Sequence, residues 1–505
     1  MTDERTPLLL SRQESYSGLT AAPVASENTV RVQETFTTRR NINLFSGVFV
    51  AAGIVIGSGI FVTPNGVLVA ANKSVGVTLI IWVFGGLIAM LSTLCYCELA
   101  TSIPESGSDY TYLTYAYHPA LAFLIPWMYT CVPSADAALV LTFARYATEP
   151  FFVGSNSKPP EESVKLVAIC LVLLFTAINV FNVKLAIRVQ VVLAWSKLAA
   201  IAVVVISGLI FCAKDASIAR ENFLGAFDKK ALEGITILTL SRSFYQVMFA
   251  YDGWNTLCNV TEEIENPEKT IPKASVLSIC VITLAYLIIN CAYFLVLSVD
   301  EMASSKVVAL PFALKAMGGA SWIVYLTVCL CTAGSYNGGI LTSGRLSYVA
   351  ARRGHLPQVF GMLHINNYTP GPALVLNTIG CTVLIALGEF NVLIDVFGFI
   401  TWTFIGLSSL AVIILRKRRP EFDRPFKVPT IIPAFMTLIS LLFVILPLIS
   451  ELHFLYIYAI AFFALGLFFY FIFVHKRYRS SCCGQVTVFL QKLFQVAPSD
   501  WKKAE

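Results

Sequence analysis

Long apolar runs recur from about Leu44 to Val474, and many approach the ~20 residues that a helix needs to cross a ~30 Å hydrocarbon layer. The runs are rich in Leu, Ile, Val and Phe and lack the alternation expected of barrel strands. Charged residues make up only 13% of the 505 residues, against roughly 25% in soluble domains, so a soluble fold would lack a polar surface. The sequence therefore predicts an all-α membrane protein.

The apolar runs predict twelve transmembrane helices. We place them at residues 44–70, 77–99, 120–146, 164–180, 190–211, 239–262, 274–297, 322–349, 373–387, 392–415, 431–449 and 454–474. An even number of spans puts both termini on one side of the membrane. Lys and Arg are concentrated in the loops on that side, most densely at residues 416–419, so the positive-inside rule predicts cytosolic termini.

Two tails flank the predicted twelve-helix domain, residues 43–475. Residues 1–42 are rich in Ser, Thr, Glu and Arg, which predicts a disordered cytosolic tail. Within this tail, Glu4 to Leu9 (ERTPLL) matches an acidic dileucine sorting motif, a short pattern that also arises by chance. We expect the protein in the plasma membrane, and the motif makes an endosomal or lysosomal membrane the alternative location. In the second cytosolic tail, residues 476–505, the periodic segment 486–496 predicts a short interfacial amphipathic helix.

Two of the predicted spans contain residues that weaken a helix at membrane depth. Span one holds Gly53, Gly57, Ser58 and Gly59, and span six holds Asp252 and a glycine within the segment FAYDGWN. Small residues at helix contacts are the alternative explanation for span one. The two spans occupy corresponding places in two five-span halves, however, and interrupted helices at such places mark the binding site of inverted-repeat transporters.

Interrupted helices offer backbone groups that suit a free amino acid. The N-terminus of a half-helix presents unpaired N–H groups to a carboxylate, and exposed carbonyls receive an ammonium group. Ser58 and Gly59 could supply the N–H donors, and Val55 and Phe249 could supply the carbonyls.

Several short motifs resemble the light chains of heteromeric (L-type) amino-acid transporters, a family of the amino acid–polyamine–organocation superfamily. They are residues 57–61 (GSGIF), 97–99 (CEL), 108–110 (SDY), 254–255 (WN), 260–263 (VTEE), 344–346 (GRL), 354–357 (GHLP) and 424–429 (RPFKVP). The resemblance extends from about residue 43 to the C-terminus. Residues 250–255 and 489–491 are most similar to the branch that exchanges cystine with dibasic and neutral amino acids.

This resemblance implies a LeuT-type 5+5 inverted repeat with helices one and six broken, and it implies roles for named residues. The α-carboxylate would bind at Ser58 and Gly59, and the α-ammonium at the carbonyls of Val55, Phe249 and Asp252. Phe249 would also be the gate. The neighbouring site residues would be Ile56, Gly57, Ala250 and Asn255. Lys197 in span five would replace the sodium ion of sodium-coupled relatives and bridge spans one and eight; snorkelling to the interface is its alternative.

The sequence departs from the family pattern at two places. Light chains that pair covalently with a heavy chain carry a cysteine in the loop after span three, and residues 147–163 contain none. A disulfide-linked heavy chain is therefore not expected, whereas a noncovalent one is left open. Asp136 replaces an aromatic residue in span three, either as part of the site or paired with Arg145 or a backbone donor.

Carboxylates at membrane depth are costly and are candidates for function. Asp252 predicts selectivity for cationic substrates, and its alternative role is to cap the second half of helix six. Glu98 and Asp109 lie near the predicted cytosolic ends of spans, where we expect gate or loop ion pairs.

The sequence thus predicts a sodium-independent exchanger of neutral and cationic L-amino acids that works by alternating access in the lipid bilayer. An amino-acid sensor, a facilitative uniporter and a membrane-embedded enzyme are the alternatives. An enzyme is not expected, because the five histidines lie in loops or at span ends. No cofactor or metal is expected, and no basic cluster interleaved with aromatics points to nucleic acid.

Overall fold

The structure is a computed structural model of the full chain. It describes residues 42–57, 59–105, 107–152, 159–228, 233–261, 264–305, 307–365, 369–388, 390–450, 454–475 and 481–498. These residues are almost entirely helical and belong to one compact unit, residues 40–505. The dileucine-like motif and nearly all of the predicted N-terminal tail lie outside the described residues.

The helices follow one another with short connections. The first nine are α1 (Leu44–Val55), α2 (Gly59–Ala70), α3 (Val75–Ser102), α4 (Ser108–Ala116), α5 (Pro119–Cys131), α6 (Ser134–Thr148), α7 (Glu161–Phe181), α8 (Val183–Lys214) and α9 (Ser217–Leu224). The next six are α10 (Ile237–Ala250), α11 (Thr256–Asn259), α12 (Pro267–Val296), α13 (Val299–Ser304), α14 (Ala309–Met317) and α15 (Trp322–Arg352). The last are α16 (Gly371–Leu387), α17 (Phe390–Arg418), α18 (Ile431–Ser450), α19 (Phe454–Phe469) and α20 (Ser481–Phe494).

Many of these helices can cross a membrane. Seven described segments are long and apolar enough: Val75–Ser102, Pro119–Phe152, Glu161–Phe181, Arg188–Lys214, Pro267–Val296, Trp322–Arg352 and Phe390–Arg418. The pair α1 and α2 makes an eighth if it forms one span, and shorter apolar helices lie at Gly371–Leu387, Ile431–Leu446 and Ala459–His475. The chain is thus a multi-pass membrane protein, and the count of twelve stays a prediction.

The first predicted interruption is present. Asn43 caps α1 by accepting a hydrogen bond from Ser46 N at 2.9 Å. α1 ends at Val55, α2 begins at Gly59, and the two are bent by 57°. The bend exposes backbone groups of both half-helices in the middle of the span.

The second predicted interruption is also present. α10 ends at Ala250 and α11 begins at Thr256, so five residues between them leave the helix. Gly253 has φ +93°, a left-handed conformation that residues with a Cβ rarely adopt. The hydroxyl of Thr256 donates to Gly253 O at 2.5 Å and stabilises the turn.

The predicted span 120–146 lies within the apolar segment Pro119–Phe152, but its helix is interrupted between α5 and α6, which the sequence did not predict. α5 ends at Cys131, and Val132 N makes its last hydrogen bond, to Met128 O at 2.8 Å. Pro133 has no N–H and cannot extend the hydrogen-bond ladder. The chain restarts as α6 at Ser134, which places Asp136 in a first helical turn.

A buried ion pair holds α3 against α17. Arg416 donates to both carboxylate oxygens of Glu98 at 2.7 and 2.5 Å, and Val428 N donates to the same carboxylate at 2.8 Å. The bidentate geometry and the extra donor compensate the removal of Glu98 from water. The predicted ion pairing of Glu98 is confirmed.

The C-terminal segment docks on the loop after α15. Strand β2 (Val496–Pro498) pairs antiparallel with β1 (Met362–His364), in the register Met362 to Pro498. The helix predicted over residues 486–496 instead spans Ser481–Phe494. It ends earlier because residues 496–498 pair with strand β1.

Candidate substrate-binding site

Tyr286 of α12 joins the two interruptions. Its hydroxyl lies 2.9 Å from Val55 O at the end of α1 and 2.6 Å from Ala250 O at the end of α10. A hydroxyl carries one hydrogen and can donate fully to only one of these carbonyls at a time. The other carbonyl therefore retains its capacity to accept a hydrogen bond from an ammonium group.

The two broken helices touch at Gly59. A Cβ at this position would lie 2.4 Å from Ala250 Cα and 2.8 Å from its Cβ. Gly59 is thus required for the close approach of α2 to α10, in addition to offering a first-turn N–H. Ile56 and Gly57 are buried between the half-helices, and Ser58 lies outside the described residues.

Lys197 connects span one to span eight. Its ammonium donates to Gly53 O of α1 at 2.7 Å and to Ser335 Oγ of α15 at 3.0 Å. Lys197 is 1% exposed, so it does not snorkel to an interface. The fixed charge lies between the two helices, and its role in place of a sodium ion stays a prediction.

Phe249 is enclosed by aromatic rings of α17. Its ring meets those of Phe397 and Phe390 edge-on, at centroid distances of 5.8 and 6.2 Å. Only 5% of Phe249 is exposed. The aromatic cluster packs beside the second interruption, and the role of Phe249 as a gate stays a prediction.

Asp252 faces a small internal cavity. The cavity, of about 20 Å³, is bounded by Asp252, Asn255, Tyr129 of α5 and Thr401 of α17. Asp252 remains accessible although the surrounding helices are packed. Asn255 occupies the N-cap position of α11 without a capping hydrogen bond from its side chain. Asp252 lies three residues before that position, so it is not the helix cap.

Asp136 lies in the first turn of α6. One of its carboxylate oxygens lies against Gly339 of α15, where an added Cβ would approach to 2.7 Å. Pairing of Asp136 with Arg145 is wrong, because the guanidinium of Arg145 binds Glu161 at 3.0 and 3.2 Å. Asp136 therefore contacts α15, and its membership of the site stays a prediction.

Asp109 was predicted to form an ion pair, and that prediction is wrong. Its carboxylate instead accepts hydrogen bonds from the hydroxyls of Tyr96 and Ser408, the latter at 2.6 Å. It lines the same cavity as Asp252. Tyr96 of α3 and Ser408 of α17 face this carboxylate, whereas the nearby cation Arg416 of α17 binds Glu98.

Tyr286 and Ser335 are the residues that the sequence did not reveal. Each is one of several hydroxyl residues in its run, and such residues are common in spans without any role at a site. Glu262 and Glu263 lie outside the described residues. The predicted site residues Val55, Gly59, Ala250 and Lys197 do come together, since Tyr286, Lys197 and the Gly59 contact connect them.

Comparisons with known proteins agree with this arrangement. A profile described as amino acid permease matches residues 42–475. The b(0,+)-type amino acid transporter 1 of Homo sapiens is 38% identical over 480 residues, 94% of this chain and 97% of that protein. The cystine/glutamate transporter of Homo sapiens is 37% identical over 421 residues, 83% and 82% of the two chains. The large neutral amino acids transporter small subunit 2 of Mus musculus is 37% identical over 418 residues, 82% and 77%.

These relatives are named as transporters, which confirms the expectation that the chain is not an enzyme. The profile match includes both interruptions, Lys197 and the cavity beside Asp252. The resemblance noted in the short motifs therefore extends over most of the sequence. The chain belongs to the amino acid permease family, among relatives of the light subunits of amino-acid transporters.

Proposed function

We propose that the protein is a sodium-independent exchanger of neutral and cationic L-amino acids. The observation that carries the proposal is the pair of interrupted helices joined by Tyr286, with carbonyls of both half-helices at one point. All free amino acids carry an ammonium group and a carboxylate. The exposed carbonyls can accept hydrogen bonds from the ammonium group, and the adjacent helix N-terminus can bind the carboxylate. The named activities of the relatives support the same substrate class.

We further propose twelve spans arranged as a LeuT-type inverted repeat. Ser58 and Gly59 would bind the α-carboxylate, and the carbonyls of Val55, Phe249 and Asp252 would receive the α-ammonium. To these we add the carbonyl of Ala250, which lies with that of Val55 at the Tyr286 hydroxyl. Phe249 would shut the site on one side. Alternating access would then expose this central site to each side of the membrane in turn.

Uptake of labelled leucine and lysine into proteoliposomes tests the function. An exchanger takes up label only when the vesicles contain unlabelled amino acid, whereas a facilitative uniporter takes it up in both conditions. A sensor binds the amino acids and gives no uptake in either condition. Uptake of the same size with and without internal amino acid would overturn the proposal.

Exchange should not depend on sodium. The Lys197 ammonium already supplies a fixed positive charge between α1 and α15, so we expect equal uptake in sodium and in choline media. Lys197→Met should reduce exchange by at least about tenfold, since it removes the donor to the partly buried acceptors Gly53 O and Ser335 Oγ.

Lys165→Met is the matched control, because Lys165 also donates to a backbone carbonyl, Ala386 O at 2.8 Å, but at an exposed position. We expect it to retain exchange. Uptake that requires sodium in the unmodified protein would contradict the assignment of Lys197.

Partnership gives a separate prediction. A disulfide needs cysteines whose Cα atoms lie within about 7 Å, and residues 147–163 offer none. We therefore expect one mass on gels with or without reductant, and transport by the chain expressed alone. The measurement is surface delivery and uptake in cells without heavy chains. Retention that an added heavy chain relieves would show a noncovalent dependence instead.

The membrane in which the protein resides is part of the proposal. The plasma membrane is favoured, and the ERTPLL segment gives an endosomal or lysosomal membrane as the alternative. If the sorting machinery recognises the motif, replacing Leu8 and Leu9 by alanine should raise the fraction of a tagged protein that is found at the cell surface.

A further inference from the structure

The cavity beside the second interruption contains a carboxylate that the proposed function leaves unused. We propose that Asp109 is a specificity-determining residue that receives the terminal ammonium of a long dibasic amino acid, in a subsite completed by Asp252. This inference rests on the proposed function, because it requires an amino acid held at the interrupted helices. It assigns a binding site to the end of the substrate side chain.

Two separate parts of the fold each contribute one carboxylate to the cavity wall. Asp252 belongs to the segment between α10 and α11, and Asp109 belongs to α4, yet both line the same cavity. Tyr96 and Ser408 both donate to Oδ1 of Asp109, so neither hydroxyl occupies Oδ2. The two donors hold the carboxylate in one orientation, as a preorganised binding group requires.

No basic side chain neutralises this pair within the described part of the chain. The ion pairs found there involve Lys73, Arg145, Lys315, Arg353, Arg416 and Arg419, and none of them reaches Asp109 or Asp252. Asp109 is buried and its two donors are neutral, so its charge is costly without a positive partner. A substrate cation in the cavity would reduce that cost, so binding energy is available for a cation at this point.

Neutral groups complete the lining of the cavity. Asn255 is one of them, and its side chain does not cap α11. Trp254 forms one wall and meets Tyr96 edge-on at 4.7 Å. The free volume of about 20 Å³ holds one water-sized group, which matches an ammonium better than a planar guanidinium.

The test measures exchange of a length series in proteoliposomes: 2,4-diaminobutyrate, ornithine and lysine, with leucine and arginine for comparison. We expect the unmodified protein to prefer lysine to arginine. Asp109→Asn should lower lysine uptake relative to leucine at least fivefold, and diaminobutyrate uptake less than twofold. Glu105→Gln is the matched control, an exposed carboxylate before the same helix that pairs with Arg353 at 3.3 Å, and it should change neither ratio.

If Asp109→Asn fails to fold, Asp109→Glu tests whether this carboxylate binds the substrate ammonium. It keeps the charge and moves it forward by one methylene, so the preferred length should shift from lysine to ornithine. An unchanged length preference, or an equal loss for leucine and lysine, would overturn the inference and make Asp109 a structural group. Failure of the unmodified protein to exchange any amino acid would instead overturn the proposed function.

Discussion

Asp252→Asn should lower lysine and arginine exchange relative to leucine by at least about tenfold. Loss of one direct charge contact costs about 1.4 kcal/mol or more, which corresponds to that ratio. The substitution preserves size and leaves the interruption intact, because α11 begins at Thr256 with Asn255 at its N-cap position. The measurement is uptake of labelled substrates into loaded proteoliposomes.

The control for this variant is Asp300→Asn, the same chemical change at a surface ion pair with Lys73. Exposed pairs contribute little, roughly 0–1 kcal/mol, so the lysine-to-leucine ratio should not move. An equal loss of leucine and lysine in Asp252→Asn would assign the residue to structure and remove the case for cation selectivity.

Gly59→Ala should abolish exchange, or reduce it by at least about tenfold, although it adds a single methyl group. That methyl would lie 2.4 Å from Ala250 Cα, so α2 and α10 must separate. Overpacking of this kind costs about 1–3 kcal/mol. It would also part the carbonyls of Val55 and Ala250 that Tyr286 now holds together.

Gly53→Ala is the matched control, since nothing lies within 4 Å of a Cβ at that position. Alanine favours a helix over glycine by about 1 kcal/mol, so this variant should fold at least as well as the unmodified protein. Uptake is compared at equal surface amount. Normal exchange by Gly59→Ala would show that the contact with Ala250 yields easily and is not needed for the site.

The class of fold and two of the three interruptions could be predicted from the sequence, whereas the break between α5 and α6 was not. Hydropathy over about 20 residues decides membrane insertion, and it is a local property. The glycines near residue 57 and Gly253 weaken a helix through their own backbone freedom, which no distant contact must supply. Lys197 was predicted through family resemblance, and its bridge from Gly53 to Ser335 is present.

The contacts between polar groups could be identified only from the packing of the helices. Tyr286 lies 231 residues from Val55, and Ser408 lies 299 residues from Asp109, yet both pairs are hydrogen-bonded. Arg145 was given the wrong partner because helix packing places Glu161, 16 residues along the chain, beside its guanidinium. Helical periodicity fixes the face on which a side chain lies, but the packing of neighbouring helices selects its contact. The charges that surround a substrate therefore follow from the packing, while the spans that enclose it follow from the sequence.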